Sequence, residues 1–364
     1  MTQSTPLRDK FFGCIAGVHI GSAMAAPVEG WSHQRIQQEY GTLERFLPYH
    51  HYQATTDWVR EPGTTEDGVE RQKLMITAIM RKQDRITAED LRAVWVTDMN
   101  PDGAGVVSEP FEGALLAMAR TPMPARDIGR YCDYAGLVSF ARSCHPIGLI
   151  NAGDLQGALE DVFEVGQVYQ TSNSRGLQWA AVTGIAIAAA TKPGATVDSV
   201  LGAIFDVCGT FPRRFVQDAG VVRELDRALQ LTATCQDFRE LRLAFDAVYA
   251  GYGIPYAAAY ANEVVTKAVC IFRMVSGDLR AAIVAGVNMG RDTDCTAAVA
   301  AGISGALTGS ASLPPGWVQQ VDAATLINPY TNSRRSLREH AEGLHEAYRA
   351  RLARMRALAS EMDY

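Results

Sequence analysis

The chain has 364 residues and lacks the sequence marks of several common classes of protein. Its seven cysteines are odd in number and include no CxxC pair, which argues against a disulfide framework and against a zinc site. The formal net charge of −6 offers no basic surface for nucleic acid. Scattered thiols without a framework indicate reduced cysteines, so we expect a cytoplasmic protein.

Long apolar runs are also missing. No uninterrupted stretch reaches the roughly 18–20 apolar residues that span a bilayer, so we expect no membrane segment. The apolar run at 11–28 has the length of a signal peptide, but three glycines and a histidine interrupt it. We therefore expect this run to form a buried helix.

No segment sustains the two-residue alternation of a β-strand, and the strand–helix rhythm and GxGxxG motif of a dinucleotide-binding fold are absent. Apolar residues instead recur at helical spacing, with no fixed repeat and no proline- or glycine-rich linker. We therefore predict an all-α protein, a compact multi-helix single domain at 1–332. A charged helix at 333–364 is expected to pack on the body or on a partner subunit of a homodimer.

The helices are predicted at 11–26, 62–82 (capped by Thr64 or Thr65), 86–99, 110–120, 126–139, 153–169, after Ser174, and at 196–207, 217–233, 237–249, 257–275, 278–287 and 333–359. Residues 31–63 are predicted to be irregular and are rich in aromatic side chains. Such a loop either covers the core or serves as a lid over a substrate.

The stretch from Gly286 to Gly309 combines two unusual features. Asp292 and Asp294 stand two residues apart in a glycine-flanked turn, and oxygen ligands of this kind suit a hard cation. A run of alanines and glycines follows at helical spacing. Because small residues let backbones approach closely, we expect this helix to lie at the centre of the molecule.

Other candidate residues each have a structural and a functional interpretation. Acidic residues in TTEDG, at 64–68, suit a helix N-terminus, but a hydroxyl beside two carboxylates is also half of an oxygen-rich metal site. Glu29 lies in the turn PVEG, where a carboxylate is usually solvated. His145 precedes a proline, so we expect it to be extended, where it binds a ligand or hydrogen-bonds locally. Gly103 and Gly105 can expose backbone amides to a phosphate.

Three of these stretches together resemble the ADP-ribosylglycohydrolase family, over residues 10–330. The family includes dinitrogenase-reductase-activating glycohydrolase, the ADP-ribosyl-acceptor hydrolases and the J1 crystallins. Its motifs G-D-x-x-G-x-x-x-E, T-D-D-T and G-G-D-x-D-T correspond here to GSAMAAPVE ending at Glu29, TEDG beginning at Thr65, and GRDTDC beginning at Gly290.

The resemblance implies an all-α fold with a Mg²⁺ centre, of one or two ions or with Mn²⁺ instead, at the base of a cleft. It implies metal ligands at Thr65, Glu66, Asp67, Asp292 and Asp294, and catalytic roles for Glu29, Asp67 and Asp292. For the substrate side we nominate Ser143, His145, Gly103, Gly105 and Arg291. The expected reaction is hydrolysis at C1 of a ribose with an N- or O-linked leaving group, through a transition state of oxocarbenium character.

The motifs also depart from the family's pattern. Ser22 replaces an aspartate, Glu66 an aspartate, Gly68 a threonine, Arg291 a glycine, and Cys295 a threonine or serine. Sulfur is a poor donor to Mg²⁺, although the adjacent Thr296 can substitute for it. Arg291 can clamp a phosphate, or it can neutralise part of a site that has lost a metal.

These departures leave three functions open. The first is a hydrolase of an unusual ribosyl or ADP-ribosyl conjugate, a small metabolite. The second is a protein de-ADP-ribosylase. The third is a ligand-binding or structural protein without catalysis, like the crystallin members.

Overall fold

The computed structural model describes residues 5–50, 58–99, 110–132, 134–172, 174–209, 220–249 and 259–362. Gly103 and Gly105 lie outside these ranges. Within them the chain forms seventeen α-helices and no β-strand, and only two isolated β-bridges occur, Tyr49 with Arg60 and Leu137 with Tyr260. The prediction of an all-α fold is confirmed.

The α-helices are α1 Leu7–Ala25, α2 His33–Tyr40, α3 Asp67–Lys82, α4 Ala88–Asp98, α5 Pro110–Ala119, α6 Ala125–Ile128, α7 His145–Ile150, α8 Leu155–Val165, α9 Arg175–Ala190, α10 Val197–Cys208, α11 Val221–Leu231, α12 Phe238–Tyr249, α13 Ala261–Met274, α14 Leu279–Val287, α15 Thr293–Thr308, α16 Pro315–Ile327 and α17 Leu337–Met362. Three 3-10 helices lie at Ala26–Val28, Gly129–Tyr131 and Gly166–Val168.

Helix α15 lies at the centre of this bundle, as the small-residue pattern predicts. It contacts α1, α9, α13 and α14, and every residue from Thr293 to Leu307 is buried. Its closest neighbour is α1, which runs antiparallel to it. A Cβ atom placed on Gly13, Gly17 or Gly21 of α1 would lie 2.7, 2.7 or 2.9 Å from backbone atoms of α15. The two backbones therefore meet with no side chains between them along this seam.

The segment Leu7–Val28 is long and apolar enough to cross a membrane by length and composition alone. It is also 94% buried among the other helices, which is the environment of a core helix. It is the only such segment within the described ranges. The same segment supplies the glycine face of the α1–α15 seam.

Three local predictions are wrong. Residues 31–63 contain a helix, α2, whose N-cap Ser32 accepts a hydrogen bond from the Arg35 amide at 3.2 Å. The helix predicted at 126–139 ends by Tyr131, because the following chain pairs with another segment: the Val138 amide donates to the Ala259 carbonyl at 3.0 Å. Helix α3 begins after Glu66, so neither predicted threonine is its cap.

His145 is also not extended, since it opens helix α7. Pro146 then stands in the first turn, where its missing N–H leaves no intrahelical bond unmade. Helix α16 is not among the predicted helices. Helix α17 packs against α1, α3, α7 and α16, and its buried Arg351 donates from Nη1 to the Ile150 carbonyl at 2.7 Å.

Candidate metal centre

Two of the predicted ligands, Asp292 and Asp294, lie at the start of α15, at one end of the α1–α15 seam. Asp292 is the N-cap of α15, and its Oδ1 accepts from the Cys295 amide at 3.3 Å. The hydroxyl of Thr293 donates to the Ala25 carbonyl at 3.1 Å, which joins the start of α15 to the end of α1. One ligand atom each from Asp292, Asp294 and Cys295 lie within 4.8 Å of one another, and all three residues are buried.

The turn that carries Glu29 is tied to this loop by its backbone. The Gly30 amide donates to the Arg291 carbonyl at 2.8 Å, and the Arg291 amide donates to the Trp31 carbonyl at 2.7 Å. Glu29 is partly exposed as a residue, although its carboxyl group is removed from water beside the other carboxylates. Two chain segments far apart in sequence thus present their carboxylates to one place.

The electrostatics show that five carboxylates converge there. The pKa of Glu29 is raised well above its usual value, first by removal from water and then by four carboxylates, those of Asp294, Asp292, Glu66 and Asp67. Burial and the charge of Asp294 likewise raise the pKa of Asp292 well above its usual value. Because like charges confined without water repel strongly, such a group is stabilised by protons or by a bound cation.

Glu66 contacts residues from the segment before α3. It is buried, its Oε1 accepts from the Tyr49 hydroxyl, and the Arg60 Nε lies 3.5 Å from the same oxygen. The hydroxyl of Thr65 donates to Glu70 Oε1 at 3.1 Å. The ligand role of Thr65 stays a prediction, because in this structure its hydroxyl is bonded to Glu70 of α3.

Asp67 is bonded to two guanidinium groups. Its Oδ2 accepts from Arg71 Nη2 and, at 2.6 Å, from Arg142 Nη2, while its Oδ1 accepts from the Gly68 amide at 2.8 Å. Arg142 Nη1 also donates to Cys295 Sγ at 3.2 Å and lies 3.8 Å from Asp294 Oδ2. Arg142 therefore joins both acidic motifs.

The residues that sequence reasoning missed are Arg142, Arg71 and Tyr49. Arg142 immediately precedes Ser143, which was selected, but nothing in its own motif marks it. The sequence does contain a signal at Gly68 and Cys295. The family's motifs have hydroxyl residues at these two positions, and their replacement leaves space for another group. The sequence does not say which group fills that space.

Two of the nominated substrate-binding residues have the contacts of core residues. Ser143 is buried, and its hydroxyl makes hydrogen bonds to the Gly68 and Ser139 carbonyls at 3.1 and 2.9 Å. His145 is fully buried, its Nδ1 is 3.1 Å from the Gln72 side-chain amide, and burial lowers its pKa to about 3. Their roles in binding substrate stay predictions.

Arg291 points to α13 and not into the acidic cluster. Its Nε and Nη2 donate to the two oxygens of Glu263 at 2.6 and 3.0 Å, and Lys267 donates to the same carboxylate at 2.6 Å. Its backbone has φ 66°, a left-handed conformation that favours glycine. Arg291 is thus paired with Glu263, whereas Arg142 contacts Asp67 and Asp294; a role of Arg291 in binding phosphate or in neutralising part of the site stays a prediction.

The side chains at the start of α15 suit a hard cation as ligands. Asp294 is buried, and its Oδ1 has no hydrogen-bond partner among the residues that the structure describes. A buried carboxylate oxygen without a donor is costly unless a cation or a proton approaches it. Asp292 and Asp294 supply the oxygen ligands that Mg²⁺ and Mn²⁺ prefer, whereas Cys295 supplies sulfur.

Fold and site together define an all-α protein with an acidic, cation-type centre at the start of its central helix. The family model described as ADP-ribosylglycohydrolase matches residues 3–354, and the chain belongs to that family. Membership supports a glycohydrolase-type enzyme. The matched residues include the helical bundle, the acidic centre and most of α17.

The chain is similar to an uncharacterized protein of Escherichia coli strain K12, YegU, at 22% identity over 342 residues, which cover 92% of this chain and 99% of the relative. A shorter match of 42 residues, at 45% identity, covers 12% of this chain and 14% of an uncharacterized protein of Archaeoglobus fulgidus. A solved structure titled "ADP-ribosylglycohydrolase-related protein complex" shares the fold with a TM-score of 0.62. It has 15% identity and covers 94% of this chain and 97% of its own.

Proposed function

We propose that this protein is a metal-dependent glycohydrolase that cleaves the C1 N- or O-glycosidic bond of a ribosyl or ADP-ribosyl conjugate. Its substrate is a small metabolite. The observation that carries the proposal is the meeting of the two acidic motifs at the start of α15, in a chain of the ADP-ribosylglycohydrolase family. Ligand atoms of Asp292, Asp294 and Cys295 lie within 4.8 Å of one another, and Arg142 joins Asp67 to Asp294.

The roles follow from position in the cluster. Asp292 and Asp294 hold the cation, since their oxygens lie together at the loop and Asp294 Oδ1 lacks a protein donor among the described residues. Glu29 is the partly exposed residue among these acidic residues, and its carboxyl group can exchange a proton with a water or a leaving group. A bound divalent ion supplies Lewis acidity and orients the ribose hydroxyls.

The proposal is tested with a panel of conjugates, including ADP-ribosyl-arginine, ADP-ribosyl-serine, NAD derivatives and simple nucleosides. Release of free ribose or ADP-ribose is measured with Mg²⁺ and after EDTA treatment. We expect turnover of at least one small conjugate with Mg²⁺, and a loss of about 100-fold or more in kcat/KM for Asp294→Asn, since ligand loss removes the cation.

Asp161→Asn is the matched control. Asp161 is also a buried aspartate, but it bonds Arg85 and Asn151, away from α15, so activity per folded molecule is expected to persist. Turnover that is unaffected by EDTA and by Asp294→Asn would contradict the proposal. Cleavage confined to modified proteins would instead support a protein de-ADP-ribosylase.

One observation favours the non-catalytic alternative. Asp67 is bonded to two arginines, as a carboxylate in a structural ion-pair network is. Saturable binding of a ribosyl ligand without any product, with metal present, would decide for a binding protein of the same fold.

A further inference from the structure

We propose that the Arg142 guanidinium replaces one of the two metal ions that the sequence motifs imply, so that this chain binds a single divalent cation. This inference rests on the proposed metal-dependent function and specifies its centre. It goes beyond that function because it concerns the number of ions and names the residue that limits it.

The first support is the position of the guanidinium. Arg142 Nη2 lies 2.6 Å from Asp67 Oδ2, whereas its Nη1 lies 3.2 Å from Cys295 Sγ and 3.8 Å from Asp294 Oδ2. A second ion shared by the two acidic motifs would lie between these same side chains. The guanidinium supplies one of the two positive charges that such a divalent ion would bring, and it is covalently fixed to the chain.

The second support is that two departures from the motifs contact this one side chain. At Gly68, where the motif has threonine, an added Cβ would lie 2.7 Å from Arg142 Cδ and 2.8 Å from its Nε. Cys295, where the motif has a hydroxyl, is a poor ligand for Mg²⁺ and here accepts from the guanidinium. Gly68 leaves space for the Arg142 side chain, and Cys295 removes an oxygen ligand of the second ion. Both changes therefore favour an arginine in place of that ion.

The oxygens that lie together and can hold one ion are those of Asp292 and Asp294. Asp67 is bonded to Arg71 and Arg142, and Glu66 to Tyr49. Asp294 Oδ1, in contrast, has no protein donor among the described residues. The single ion is thus expected on the side of the cluster that faces away from Arg142.

The test counts ions in the full-length protein. The chain is stripped with EDTA and titrated with Mn²⁺, and stoichiometry is measured by calorimetry and by electron paramagnetic resonance, which distinguishes an isolated ion from a coupled pair. We expect one isolated Mn²⁺ per wild-type chain. We expect two coupled ions in Arg142→Ala/Cys295→Thr, which removes the guanidinium and restores a hydroxyl.

Arg142→Lys is the matched control, because it keeps a positive charge at the position and should still bind one ion. Circular dichroism establishes that each variant is folded; if the double variant is not, the wild-type and Arg142→Lys stoichiometries decide alone. Two coupled ions in the wild type, or one ion in the folded double variant, would overturn the inference. An active wild type with two ions leaves the proposed function intact, whereas a wild type that binds no Mn²⁺ and hydrolyses conjugates in EDTA defeats that function as well.

Discussion

The two ends of helix α15 are held in place by different kinds of contact. Toward its C-terminal end, Gly305 and Gly309 meet Gly13 of α1 with backbone against backbone. At its N-terminal end, carboxylates from three chain segments crowd together, and guanidinium groups separate them. One helix is thus held by the absence of side chains at one end and by opposed charges at the other.

The difference shows which forces tolerate substitution. The seam depends on the distance between two backbones, so any added atom must move a helix. The centre depends on a balance of charge, so a cation, a proton or an arginine can each satisfy it. A family can therefore change the residues of the centre while the seam keeps its small residues.

The largest effect is expected at the seam. A Cβ on Gly305 would overlap the carbonyl of Gly13, so Gly305→Ala should lower the free energy of unfolding by about 3 kcal/mol or more, in spite of the better helix propensity of alanine. Urea unfolding followed by circular dichroism measures this loss.

Gly202→Ala is the control for that substitution. Gly202 lies inside α10 with no atom within 4 Å of an added Cβ among the described residues, so the same change should stabilise the protein by about 0.5–1 kcal/mol. Equal effects of the two substitutions would show that the seam is not closely packed.

The next effect is expected at the charged end and should depend on the metal. An ion that binds only the folded chain stabilises it by about 2.7 kcal/mol at a concentration of 100 times Kd. Thermal unfolding should therefore shift upward when Mn²⁺ is added to the wild type, and should not shift in Asp294→Asn. Without metal, Asp294→Asn should be at least as stable as the wild type, because it removes one of the repelling charges. A metal-induced shift that survives in this variant would place the ion elsewhere.

The seam could be predicted from the sequence, and the charged network could not. Small residues at helical spacing in 297–309 and glycines at every fourth position from Gly13 to Gly21 define a face within each helix. Charge partners come from distant segments: Arg142 is 75 residues from Asp67 and 153 from Cys295. The motifs indicate which carboxylates meet, and they suggest Arg291, next to Asp292 in sequence, as the positive charge beside them. In the structure the distant Arg142 contacts the carboxylates, and Arg291 pairs with Glu263. Nearness along the chain says little about which way a long side chain turns.

The smallest effect is expected at Arg291, which tests whether that residue supports the loop or the centre. Arg291→Gly removes the strain of a left-handed backbone conformation, which costs about 1–2 kcal/mol for a residue other than glycine. It also removes the two hydrogen bonds to the buried Glu263, which keeps Lys267 as a partner. We expect a net loss of about 1 kcal/mol in unfolding free energy and an unchanged Mn²⁺ stoichiometry. In a Glu263→Gln background the ion pair is already gone, so Arg291→Gly should become neutral or stabilising in the same urea measurement. A change in the number of bound ions on removing Arg291, with no such reversal of sign, would mean that Arg291 and not Arg142 balances the acidic end of α15.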